Sequence, residues 1–101
     1  MEILSVSLER GVVQVSGELD VATADELKAA LIDALAENPR VLVDLEGLTF
    51  IDAAGMHAIL EVARTMNGRG PLTLIHAGRL RRLLEIVGLT DVASLDVREN
   101  E

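Results

Sequence analysis

Apolar and polar positions along the chain switch between a period of two and a period near that of a helix, and Gly, Asn and Pro fall where the pattern changes. Residues 3 to 8 alternate Ile3, Ser5 and Ser7 with Leu4, Val6 and Leu8, and residues 12 to 16 set Val13 and Val15 against Gln14 and Ser16. Both segments read as strands. Glu9-Arg10-Gly11 between them predicts the tight turn of an antiparallel hairpin, with glycine where positive φ is needed. Thr23-Ala24-Asp25-Glu26 has the form of a capping box, in which the Thr23 hydroxyl and the Glu26 carboxylate satisfy opposing amides at a helix start. Leu27, Ala30, Leu31, Ala34 and Leu35 continue it as an apolar stripe until Asn38-Pro39, because proline neither extends a helix nor tolerates α geometry before it. Val41-Leu42-Val43 lacks alternation, as expected of an inner parallel strand. A second helix is predicted after Asp52, with Met56, Ile59, Leu60, Ala63 and Met66 inward and a stop near Gly68 and Gly70. Leu72 to Ile75 reads as the next strand. A short third helix follows Gly78, with Leu80, Leu83, Leu84 and Val87 on one side up to Gly88, and residues 92 to 97 supply a last edge strand.

The order β-β-α-β-α-β-α-β, with right-handed crossovers running one way across the sheet, puts the helices on one face. The expectation is a single α/β domain over residues 1–101: two layers, a mixed sheet with an N-terminal hairpin, and Gln14, Ser16 and Thr73 on the uncovered face. Half the residues are apolar and 26% are charged, which excludes an intrinsically disordered chain. A net charge of −8 repels phosphate backbones and anionic lipid, and Phe50 is the one aromatic residue, so neither nucleic-acid nor membrane binding is expected. The absence of cysteine excludes disulfides and thiolate metal sites. Without a basic, apolar leader or an apolar run of about 18 residues, the chain reads as soluble and cytoplasmic.

Ligand sites of open α/β sheets lie at the carboxyl ends of the strands, and two loops there carry an aspartate before a helix. These are Gly17-Glu18-Leu19-Asp20 and Ile51-Asp52-Ala53-Ala54-Gly55. Asp52 has two readings: an N-cap for the second helix, or, with Asp20, one flank of a shared surface. Catalysis finds little support. His57 and Glu61 are spaced as an exposed pair on one helical face, His76 ends a strand alone, and no Cys or further His completes a metal set, so no metal is expected. Ser16 lacks a nucleophile elbow, and the glycines form neither a Walker loop nor a dinucleotide fingerprint, so no cofactor is expected and the chain is read as a non-enzyme. Arg79, Arg81 and Arg82 open the third helix as a solvated face or a docking patch for acidic groups.

Gly17-Glu18-Leu19-Asp20 with Thr23, then Val43-Asp44-Leu45-Glu46-Gly47-Leu48-Thr49-Phe50-Ile51-Asp52 and Gly55-Met56, resembles the STAS-domain family of anti-sigma factor antagonists. The long second motif is the specific part, and the similarity runs from the hairpin to Gly88-Leu89. The resemblance implies a STAS-type fold and a non-enzymatic switch. Such a domain docks on an anti-sigma factor with a histidine-kinase-like ATPase fold, freeing a sigma factor and so regulating transcription, as in stress responses. It is released when the kinase phosphorylates a Ser or Thr at the start of the second helix, where free amides and the helix dipole accept a phosphate. The position matching that acceptor is Ala53, followed by Ala54, so the switch is absent there and control falls to another hydroxyl such as Thr49, Thr65 or Thr90, to expression, or to a different partner. The partner surface implied is Asp20, Thr23, Asp52, Ala53, Ala54, Gly55, Met56 and His57, with a weak homodimer left open. The alternative is a STAS subunit that binds the ATPase of an ABC-type transport system.

Overall fold

The computed structural model describes residues 4–38, 40–66, 71–78, 81–86 and 95–98. The strands are β1 (Ser5–Glu9), β2 (Val12–Leu19), β3 (Leu42–Ile51), β4 (Leu72–Ile75) and β5 (Leu95–Val97); the helices are α1 (Ala24–Glu37), α2 (Ala53–Arg64) and α3 (Arg81–Ile86). One mixed sheet follows chain order, β1-β2-β3-β4-β5, with the first pair antiparallel and the others parallel. The expected α/β class and hairpin are therefore present. Glu9 pairs with Val12, so the hairpin loop is Arg10-Gly11, both at positive φ, the backbone that lets a two-residue turn match strand twist.

Helices α1 and α2 lie side by side on one sheet face. Their stripes, Leu27, Leu31, Ala34 and Leu35 from α1 and Met56, Ile59, Val62 and Ala63 from α2, close over Val13, Val15, Val43, Leu45, Leu72 and Leu74. Each fully buried leucine of this layer contributes about 2 kcal/mol by leaving water. Ala30 and Leu60, expected inward, are half-buried. No described helix is long and apolar enough to cross a membrane. The opposite face carries Ser5, Ser7, Gln14 and Ser16, all exposed. Thr73 corrects the expectation of an open position there: it is buried at 9%, paired between Leu42 and Asp96 in neighbouring strands.

The largest departure lies in β2 and β3. Gly17 to Leu19 and Asp44 to Ile51, expected as connections, are paired strand, so β3 runs from Leu42 to the residue before Asp52. Two register shifts against β2, between Gln14 and Ser16 and between Gly17 and Glu18, insert extra residues into β3. The buried positions accordingly change from Val41, Val43 and Leu45 to Leu48 and Ile51, a spacing of three that conceals a strand from a period-two reading. Side chains repair the ladder. Asp44 Oδ1 accepts from the Glu46 amide at 3.0 Å, and the Thr49 hydroxyl donates to the Gly17 carbonyl at 3.0 Å. Gly47 is required by proximity, because a Cβ there would stand 2.7 Å from Ser16 Cβ.

Other expectations fall outside the described residues: Ile3 in β1, Pro39 after α1, Gly68 and Gly70 beyond α2, Arg79 and Leu80 before α3, Val87 to Leu89 after it, Thr90, and residues 92 to 94 before β5. The inward packing of Leu83 and Leu84 also lies outside what is described. Of the arginines that open α3, Arg81 makes an ion pair with Glu85 at 3.5 Å and donates to the Val97 carbonyl at 3.4 Å, while Arg82 is exposed.

Candidate functional site

Parallel pairing of β2 with β3 brings their carboxyl ends together, with Leu19 opposite Ile51 and the Asp52 amide donating to the Leu19 carbonyl at 3.2 Å. Both strand-end loops thus open on one edge of the domain. They are built differently. After β3 the chain enters α2 at once: Asp52, in extended backbone, is the N-cap, and its Oδ1 accepts from the Gly55 amide at 2.9 Å. The cap reading of Asp52 is correct as local structure.

After β2 the chain makes a loop from Asp20 to Thr23 before α1 starts. The expected capping box does not form, since α1 has no side-chain cap. Thr23 instead turns back: its hydroxyl donates to the Glu18 carbonyl at 2.9 Å and accepts from the Asp20 amide at 3.0 Å. Asp20 Oδ1 accepts from the amides of Ala22 at 3.0 Å and Thr23 at 3.2 Å. The threonine lies in the αR region rather than the extended backbone of a side-chain cap, so its oxygen closes the loop and leaves the helix amides alone. Asp20 and Thr23 are half-buried staples of this loop.

Between the amino-terminal halves of α1 and α2 lies a shallow groove of about 460 Å³. Ala24, Ala53, Ala54 and Ala58 give it a floor of small side chains, and Val21 stands at its mouth with 78% of its surface exposed. His57, Asp25 and Glu61 supply polar rims, and Lys28 reaches across from α1, 3.6 Å from Asp25 Oδ1 and 3.5 Å from Glu61 Oε1. Of the residues expected at a partner surface, Ala53, Ala54 and His57 come together in this groove, and Asp20, Thr23 and Asp52 shape the loops around it. Gly55 and Met56 correct the expectation. Met56 is 5% exposed within the core, and a Cβ on Gly55 would stand 2.7 Å from Leu19 Cγ and 2.8 Å from the Leu19 carbonyl, so both seat α2 on the sheet rather than face a partner. Val21, Asp25, Lys28 and Glu61 also line the groove but were not among the residues expected at a partner surface. Val21 carried a signal, an apolar residue in a polar loop outside any helical stripe; the cross-helix ion pair required the packing of α1 on α2.

Ala53, which the resemblance matches to the family's acceptor, is exposed and Ala54 is half-buried, and neither offers a hydroxyl. Among the other hydroxyls considered, the Thr65 hydroxyl donates to the Val62 carbonyl at 2.7 Å at the end of α2, and Thr49 bridges to β2 as described.

A family model described as "Mlab, STAS domain" matches residues 4–97. Solved structures share the fold. An anti-sigma factor antagonist from Mycobacterium paratuberculosis is 24% identical, with 95% of this chain and 86% of that one covered and a TM-score of 0.76. The Bacillus cell fate determinant SpoIIAA in its phosphorylated form is 18% identical over 94% of this chain and 90% of that one, with a TM-score of 0.60. A sulfate transporter family protein from Wolinella succinogenes is 27% identical over 93% of this chain and 81% of that one, with a TM-score of 0.59.

Proposed function

The chain belongs to the Mlab STAS domain family, and from that premise we propose that it is a non-enzymatic docking module whose α1–α2 groove binds an ATPase-type anti-sigma factor, releasing a sigma factor for transcription. One observation carries the reading: Val21 and the alanine floor present an apolar, shallow surface beside the two motif loops, the form a protein partner covers rather than the deep cavity of a small-molecule site. Docking there needs no phosphate and no metal. With Asp25 and Glu61 on the rim and a chain charge of −8, the partner surface should be apolar at its centre and basic at its edge. The resemblance matches the family's acceptor to Ala53, which has no hydroxyl, so in this reading the module stays docked where a switchable one is released by phosphorylation.

A second reading has its own support. The Wolinella protein, 27% identical, is of a sulfate transporter family, which favours a role in transport; a transport ATPase is the partner that reading supposes.

Purified chain used as bait in its source cells, with Val21→Asp and Ala54→Arg as negative baits, separates these readings. Capture of a kinase-like anti-sigma factor by the native chain alone supports the first reading, and capture of a transport ATPase by it alone replaces the first with the second. A partner retained equally by both variants removes the groove from either account.

A further inference from the structure

On the sheet face turned away from α1 and α2, Asp44 and Glu46 of β3 gather with His76, the residue that follows β4. Asp44 and Glu46 flank the buried Leu45 on β3, and both line the concavity on this side of the sheet. Parallel pairing sets Ile75 opposite Asp44, and the next residue, His76, leaves β4 with a φ of 56° that carries its ring to the Asp44 carboxylate. His76 Nδ1 and Asp44 Oδ1 are 2.9 Å apart. One donor atom from each of the three side chains lies within 4.8 Å of the others. The Asp44 side chain is 14% exposed and the His76 side chain 32%, while Glu46 is exposed.

We infer that Asp44, Glu46 and His76 form a binding site for a divalent transition-metal ion, with zinc the natural probe. One imidazole nitrogen and two carboxylate oxygens suit zinc, nickel or copper, whereas magnesium and calcium prefer oxygen alone. Donors in a tetrahedral zinc shell stand roughly 3.4 Å apart, given metal–ligand bonds of about 2.1 Å. The Asp44–His76 pair is already closer than that, and the solvent-exposed Glu46 places a carboxylate oxygen within 4.8 Å of both. Metal would take the place of the direct Asp44–His76 contact, with any proton held there passing to solvent, and leave the Asp44 bond to the Glu46 amide in place to hold the loop. Beside the cluster runs a polar concavity of about 190 Å³, lined by Ser5, Ser7, Gln14 and Ser16 as well as both carboxylates. It offers room for the water or partner group that fills the open fourth position of a three-ligand site. The chain's acidity raises the local cation concentration.

This site owes nothing to the groove, so its test is independent of the partner. Zinc ion alone is titrated into the full chain by calorimetry, with magnesium as the comparison ion, while the histidine ring resonances are followed by NMR. The expected result is saturable binding of one zinc per chain, a shift confined to the His76 ring, and no response to magnesium. Loss of a direct ligand should weaken binding at least as much as loss of a supporting group does in known sites, roughly tenfold or more, for both Glu46→Gln and His76→Gln. Glu46 is exposed, so Glu46→Gln keeps the fold even if His76→Gln does not. Zinc should also raise the melting temperature of the native chain and not that of Glu46→Gln. His57→Gln, which removes the other histidine, should leave binding intact. Absence of saturable binding up to millimolar zinc overturns the inference and leaves Asp44–His76 as an ion pair that ties β4 to β3. Binding that survives Glu46→Gln, or that disappears with His57→Gln, overturns it equally and moves the metal to α2.

Discussion

The two helix starts at the carboxyl ends of β2 and β3 look alike as sequence, each with an aspartate closing the strand just ahead of the helix, yet they solve different problems. At α2, one residue separates strand from helix, and Asp52 serves as cap while Gly55 lets the first turn settle on β2. At α1, a loop of four residues, 20 to 23, intervenes, and Asp20 and Thr23 spend their hydrogen bonds holding it closed. The first arrangement fixes a helix and the second fixes a loop. The difference shows why a carboxylate before a helix is not by itself evidence of a cap: backbone at the preceding residue decides, extended at Asp52 and αR at Thr23.

The greatest effect is expected where α2 touches β2. Gly55→Val places side-chain atoms where Leu19 and its carbonyl already stand, and should destabilise the domain by about 3 kcal/mol, read as a fall in the urea midpoint at unchanged slope. No residue of the Asp20 loop is so constrained; Val21→Asp, at an exposed position, should leave the midpoint within about 0.5 kcal/mol. If both variants unfold alike, the contrast between a seated helix and a projecting loop is wrong.

Next come the aspartates. Asp52→Ala should cost about 1 kcal/mol and speed hydrogen exchange of the first-turn amides of α2, because the cap acceptor is lost. Asp20→Ala removes the acceptor for two loop amides at a similar cost, about 1 kcal/mol, but the amides released are those of Ala22 and Thr23, with the body of α1 unchanged. Thr23→Ala should behave as Asp20→Ala does. Faster exchange throughout the first turn of α1 in Thr23→Ala would restore the capping box that the geometry excludes.

These contrasts also mark what could be read from the sequence. Both major helices, the hairpin and β4 followed from periodicity and turn chemistry, since Leu27-Leu31-Leu35 and Met56-Ile59-Ala63 keep a clean helical spacing and Leu72 to Ile75 is an apolar run between breaks. The extension of β3 did not, because two bulges turn a period of two into a spacing of three just where Leu45, Leu48 and Ile51 remain buried. The resemblance named Ala53, Ala54 and His57, which the structure brings together in one groove. It could not separate surface from support, because Gly55 and Met56 belong to the motif that carries it yet are buried against the sheet. Asp44 with His76 was out of reach, since 32 residues separate them and only the β3–β4 register joins them.

The smallest effect on stability, with the largest consequence for control, belongs to the first residue of each helix. Ala53 is exposed and Ala24 is 8% exposed, although both border the same groove. Ala53→Ser should cost at most about 0.5 kcal/mol, because serine is only modestly poorer than alanine within a helix and its hydroxyl meets solvent. Ala24→Ser buries a hydroxyl and should cost more, about 1 kcal/mol. Given a partner that retains kinase activity, mass spectrometry after incubation with ATP should find phosphate on Ala53→Ser and none on the native chain at residues 53 and 54. Ala24→Ser should remain unmodified, since a buried hydroxyl cannot enter a kinase site. The phosphate would bring nearly two negative charges beside Asp52; the free amides of the helix start offset part of that repulsion, but the Gly55 amide is already held by the Asp52 carboxylate. Release from the partner should follow. Phosphorylation of the native chain at Thr49, Thr65 or Thr90 with the same release would mean that the switch has moved rather than gone. If Ala53→Ser is phosphorylated yet stays bound, the first turn of α2 is not under the partner, and the docking surface belongs nearer Val21 and the loop before α1.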